Sequence, residues 1–287
     1  MVKRFLIYVF LLLSGLLSAC LSKELIEASP QLVVEGWIDD GGFPVVVVTT
    51  TVPINRKYKD IAALEECLVR WAKVTVADED TTVVLTGKVE EDHFPSYIYT
   101  TGQLRGEAGK RYRLTVEYGD FFAEAETTVP APVEIDSFLI EPTNDESLCQ
   151  LTACFKDNPS SADYYAFFCM EEVEDTPSSF RLSPQGLLSD NIVDSILRIP
   201  VYMPTSLFKR PEEYNRYFSL GDSVIVKFVN MDADSYNFWN SFEEVRMLSR
   251  NPLLSVSDNI NTNIRGGLGY WCGYGARFYP IKFCIEN

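Results

Sequence analysis

The sequence predicts a mainly β protein: an N-terminal immunoglobulin/transthyretin-like β-sandwich followed by a second β-rich domain with one amphipathic helix. Three observations carry this. Short β-branched and aromatic runs recur at close intervals from residue 31 onward, divided by glycine and aspartate turns. Residues 111–116 alternate strictly between polar Arg111, Arg113, Thr115 and apolar Tyr112, Leu114, Val116, the period of a half-buried strand. Helical spacing of aromatic residues is conspicuous only after Asp232.

In chain order, Gln31 to Ile38 reads as the first strand, and Asp39-Asp40-Gly41-Gly42 as the turn into a second, Val45 to Val52, forming a hairpin. Further strands are expected at Val69–Ala77, Thr82–Lys88, Tyr97–Thr101, Arg111–Tyr118 and Phe121–Val129. Together they make residues 31–130 the N-terminal sandwich. Thr128-Val129-Pro130-Ala131-Pro132-Val133 then marks a boundary, because two prolines one residue apart favour extended chain; residues 131–136 read as a linker.

Residues 137–287 form the second unit, with strands at Ser137–Glu141, Cys149–Lys156, Tyr164–Glu171 and Gly221–Val229. The span from Glu174 to Tyr217 reads as a long loop or as irregular edge strands. Asp232-Ala233-Asp234-Ser235 supplies an N-cap cluster for a helix whose Tyr236, Trp239, Phe242, Val245 and Leu248 recur every three residues, a stripe expected to pack on this domain.

The first residues say where the protein resides. Lys3 and Arg4 precede an apolar run from Phe5 to Leu17, the layout of an export signal, and the run is shorter than the roughly 20 residues of a membrane-spanning helix. It ends in Leu17-Ser18-Ala19-Cys20. A leucine, two small residues and a cysteine suit a lipoprotein signal peptidase, whose recognition segment would be Leu17, Ser18 and Ala19 and whose lipidation site would be Cys20. The expectation is a signal peptide over residues 1–19, a lipidated tether over 20–30, and a lipid anchor to which each buried methylene contributes about 0.8 kcal/mol. Ordinary cleavage beside an incidental cysteine is the alternative.

Cleavage there removes two of the 25 basic residues and none of the 41 acidic ones, moving the formal net charge from −16 to −18. Nucleic acid is therefore disfavoured as a partner, since phosphate binding requires a basic face. Six cysteines remain after Cys20, an even number compatible with disulfides in an exported chain. Cys154 and Cys169 are candidates to pair across neighbouring strands, since Asp157 to Asp163 reads as a turn; buried thiols are the alternative.

Catalytic constellations are hard to assemble. His93 is the single histidine, set in a Glu90 to Pro95 loop, which weighs against nucleophilic triads and against zinc. Asp78-Glu79-Asp80 and Asp232-Ala233-Asp234 lack the spacing of a calcium loop and read as turn and cap residues. Gly266-Gly267-Leu268-Gly269 lacks the lysine and hydroxyl of a phosphate loop. Its glycines read as positions of positive φ or of close approach by another strand. No enzyme activity, cofactor or metal is expected.

Several segments together resemble a family of Bacteroidota surface lipoproteins whose domain is of unknown function. They are residues 32–38, 74–78, 109–116, 127–137, Gly221-Asp222-Ser223-Val224 and Asn263-Ile264-Arg265-Gly266-Gly267-Leu268-Gly269-Tyr270. The chain departs from the family pattern at Trp271-Cys272, where many relatives carry phenylalanine. The resemblance implies an outer-membrane, cell-surface lipoprotein acting as accessory or binding partner of a TonB-dependent nutrient receptor, by analogy with lipoproteins that lid such barrels. A surface adhesion or scaffold protein is the first alternative, and a hydrolase the second.

Overall fold

The structure, a computed structural model, describes residues 30–51, 62–91, 93–157, 163–172, 179–189, 196–205, 214–248 and 260–284. The expected signal peptide, with Leu17, Ser18, Ala19 and Cys20, lies outside the described residues.

The chain is mainly β, as expected, with one α-helix among the described residues. The first hairpin joins β1 (Leu32–Asp39) to β2 (Val45–Thr50), and Gly41 takes the positive φ its turn requires. Next come β3 (Lys73–Ala77), β4 (Thr82–Val84), β5 (Thr86–Val89), β6 (Tyr97–Thr100), β7 (Arg111–Tyr118) and β8 (Phe121–Thr128). The single strand expected over Thr82–Lys88 is two. The chain turns at buried Leu85, so that β4 pairs with β3 in one sheet and β5 with β6 in the other.

Beyond residue 136 lie β9 (Ser137–Pro142), β10 (Leu148–Phe155), β11 (Tyr164–Glu171), β12 (Arg181–Ser189), β13 (Leu197–Val201), β14 (Phe218–Ser219), β15 (Ser223–Met231), helix α1 (Ala233–Leu248) and β16 (Gly267–Lys282). The 174–217 span thus contains two edge strands, β12 and β13, the second of the two readings its sequence allowed.

One eight-stranded sheet, in the order β12-β11-β15-β16-β1-β2-β6-β5, runs through both halves of the chain. On one of its faces, the sheet β4-β3-β7-β8 encloses a core with β1 and β2 that includes Leu32, Val34, Val74, Tyr112, Leu114 and Trp271. Farther along, strands β9, β10, β13 and β14 enclose a second core containing Phe155, Phe167, Phe218 and Phe228. The opposite face carries α1, whose Phe238 and Trp239 sit among Phe168, Tyr270 and Tyr274.

The helix is where the sequence placed it, and its cap is Asp232, whose Oδ1 accepts the Ser235 amide at 2.8 Å. Its buried face differs. Ser235, Phe238, Trp239 and Ser241 are buried, whereas Leu248 is exposed. A strict three-residue repeat falls 60° short of a full turn at each step, so the 236-239-242-245-248 stripe winds off the sheet.

Strand β16 is not among the strands the sequence predicts. Its first half pairs in parallel with β1 and its second half antiparallel with β15, joining the two ends of the chain. Gly269 has φ 103°, and a Cβ there would lie 1.9 Å from the Val34 carbonyl oxygen. A Cβ at Gly273 would meet the Thr128 oxygen at 2.6 Å. Glycine admits both the backbone conformation and the close approach of β8.

The expected Cys154–Cys169 disulfide is corrected by the topology. Strands β10 and β11, which carry them, belong to different sheets and are not neighbours. Cys169 points into the second core with its Sγ toward the Tyr202 carbonyl, while Cys154 lies on the other face of β10 from the core residues Cys149, Leu151 and Ala153. Both are free thiols.

Candidate functional site

The period-two geometry of a strand sends Trp37 and Asp39 of β1 to the face opposite the first core, together with Tyr274 and Phe278 of β16 and Lys227 of β15. Register brings their charged ends together. The Lys227 ammonium donates to both oxygens of Asp39, at 2.7 and 2.9 Å, and the Lys227 side chain is only 4% exposed.

Four rings frame that ammonium: Tyr274 at 4.8 Å, Phe278 at 5.5 Å, and Trp37 and Phe180 each at 5.8 Å. The negative faces of the rings supplement the carboxylate in compensating a charge removed from water. His93, set in the Glu90 to Pro95 loop, is half-buried. It stacks on Trp37 at 6.1 Å, and its Nδ1 donates to the Pro95 carbonyl at 2.8 Å. Beside this cluster, Arg277 pairs with Glu134 and reaches Asp40 at 3.5 Å. Arg277 holds the Glu134 carboxyl below the usual carboxylate range.

The same face has a second polar chain, nearer α1. Trp239 donates from Nε1 to the Tyr274 hydroxyl at 2.8 Å, and Tyr270 donates to Glu35 at 2.8 Å. Burial pushes both phenols well above their ordinary range, and the Glu35 carboxylate adds to the effect at Tyr270. Burial likewise pushes the Cys169 and Cys272 thiols up to about 12, so both stay protonated at neutral pH. Protonated, enclosed sulfurs are poor nucleophiles. Lys227 is engaged by both oxygens of Asp39 and enclosed by rings, so its nitrogen is not presented to a ligand either.

The third arrangement is an open polar cleft of about 700 Å³ between β7–β8 and the start of α1. Arg113, Glu126, Asp234, Asn237, Asn261 and Arg265 line it. Arg113 is tied to Glu126 at 2.8 Å, and Arg265 approaches Glu124 at 3.6 Å. Its surface therefore presents paired charges, amides and hydroxyls, with donors and acceptors close together. Such a surface suits a small, hydroxyl- or amide-rich ligand better than a strongly charged one.

Asn263, Ile264 and Arg265, the start of the Asn263–Tyr270 segment singled out in the sequence, line this cleft, and polar side chains here are committed to the backbone. Asn263 accepts from the Trp271 amide at 3.0 Å and donates to the Trp271 carbonyl at 2.7 Å. Thr262 donates to the Gly269 carbonyl at 2.7 Å. They satisfy β16 along the edge where no strand pairs with it. Among the described residues, no group of three or more His, Cys, Asp or Glu side chains is arranged to hold a metal ion.

None of these sites joins the residues named from sequence, since Cys20 and its recognition segment lie outside the described residues and Cys154 and Cys169 are apart. Lys227 and Asp39 went unnoticed because they are 188 positions apart. The signal available was a lysine inside the apolar run Val224-Ile225-Val226-Lys227-Phe228-Val229, which requires a buried partner.

The profile of a family described as a domain of unknown function (DUF4249) matches residues 21–277. No curated protein matches the chain.

Proposed function

Because the chain belongs to the DUF4249 family, whose description assigns no activity, we propose from its own residues that it is an outer-membrane lipoprotein exposed at the cell surface. It is held by lipid on Cys20 and works by binding, as an accessory of a TonB-dependent nutrient receptor. The observation that carries this reading is Leu17-Ser18-Ala19-Cys20 at the end of the apolar leader, with the family match starting at residue 21, directly after the cysteine.

Two features support binding over catalysis. The buried Lys227 and Asp39 are committed to each other, and the Cys169 and Cys272 thiols are kept protonated. The polar cleft between β8 and α1 offers a ligand recognition without a reactive centre. A receptor accessory needs such a surface and a tether; it needs no nucleophile.

Affinity purification of the tagged protein from detergent-solubilised outer membrane tests the partnership. A β-barrel receptor recovered in stable proportion is the expected result. Repeated isolation of the lipoprotein alone, under detergents that preserve other receptor complexes, contradicts it.

A further inference from the structure

We infer that the tether end of the N-terminal sandwich is itself a membrane-contact surface, seating Trp71 and its neighbours in the headgroup region of the bilayer. This rests on the Cys20 anchor proposed above. The register relations place one set of strand ends together. Leu32 opens β1 opposite Thr50 and Gly267, and Gln31 and Thr51 are hydrogen-bonded beside them. A Cβ on Gly266 would meet the Phe122 carbonyl oxygen at 2.2 Å, which brings the start of β8 to this end. The β7–β8 turn at Tyr118–Phe121 follows from their pairing. Lys73 pairs with Glu117, and Leu68 bridges to Thr49, so the 68–73 segment lies here too.

This end carries apolar side chains that the core does not use. Trp71 is 88% exposed, Val89 61%, Phe122 52% and Leu268 41%, with Tyr118 beside them at 37%. Trp and Tyr pair an apolar body with a polar tip, which suits them to the bilayer interface. Arg70, Lys73 and Arg265 are interspersed, long side chains suited to laying their stems along apolar surface, and Glu90 and Glu91 follow Val89. Glu117, Asp120 and Glu124 also lie at this end, and Glu117 and Glu124 are paired with Lys73 and Arg265.

The attachment point selects the occupant. Residue 31 enters β1 at this end, eleven positions after Cys20, whereas the Asp39 end lies roughly 25 Å farther along the strand. Short of its full extension of about 40 Å, the linking chain keeps the Trp71 end nearer the anchored lipid, and several modest apolar insertions add to one covalent anchor.

The test uses the lipidated protein in vesicles of phosphatidylethanolamine and phosphatidylglycerol, with flotation reporting attachment. Trp71 emission is isolated as the difference between wild type and Trp71→Phe, a change at an exposed position that leaves the core intact. The expected result is a protein that floats and whose Trp71 emission is blue-shifted and quenched by lipids brominated near the headgroup. If the protein floats while Trp71 stays fully aqueous and insensitive to brominated lipid, the contact surface is refuted and the anchor stands. If it does not float and Cys20 is an unmodified thiol, both are refuted. Protection of Trp71 in native membrane but not in receptor-free vesicles would assign the patch to a protein partner and overturn the lipid contact.

Discussion

Lys227 and Asp39 form an ion pair whose side chains are 4% and 13% exposed. Removing one partner of a buried ion pair leaves the other charge without compensation, at a cost of about 3–5 kcal/mol. Lys227→Met is expected to lower stability by that amount in urea denaturation, and combining it with Asp39→Leu is expected to recover most of the loss, since the rings already form an apolar frame. The thiols give a second prediction. Cys169 and Cys272 are raised in the folded state from the usual 9.0 to about 12. Their contribution is complete below pH 9, where both folded and unfolded thiols are protonated, and is lost as pH rises toward 12, because the unfolded chain releases its protons first. Denaturant midpoints measured across that window should fall, and Cys169→Ala with Cys272→Ala should flatten the fall. At this scale the Leu17 to Cys20 signal is proposed from the sequence alone, because its chemistry is local. The sequence concealed the ion pair and misassigned Cys154 with Cys169, because both depend on which strands become neighbours.

Elements were legible where period and punctuation agreed. Strand β7 has the limits its alternation and flanking turns indicate, β11 has those of its continuous apolar run, and Asp232 marks the start of α1. The glycines of Gly266–Gly269 are, as expected, positions of positive φ and close approach, and they let β16, a strand the sequence did not reveal, lie against β1 on one side and the β8 backbone on another. Gly269→Ala forces a Cβ against the Val34 carbonyl in a backbone conformation that alanine resists. We expect a loss of at least about 2 kcal/mol, with the same substitution at Gly102, where a Cβ meets nothing within 4 Å, as the thermal-denaturation control. Asp232 acts beyond its helix. Its Oδ2 accepts from Thr127 Oγ1 at 2.9 Å, and that hydroxyl accepts the Gly273 amide at 2.8 Å, tying helix, β8 and β16 at one joint.

For the whole molecule, the mainly β class was legible, but the connection between its halves was not. Division at residues 131–136 follows the prolines. Yet Trp271, far beyond them, is fully buried in the first core, and its Nε1 donates to the Tyr112 carbonyl at 3.0 Å. A strand shared by two cores couples their unfolding, so calorimetry should find one cooperative transition; two separated transitions would show that β16 fails to couple them. Lipid address and receptor partnership depend on one sulfur, and the measurement that tests them most directly is the mass of the native protein's N-terminal peptide. The account predicts a chain beginning at Cys20 and carrying thioether-linked diacylglycerol. A chain retaining Leu17-Ser18-Ala19, or beginning at Cys20 with an unmodified thiol, would contradict it.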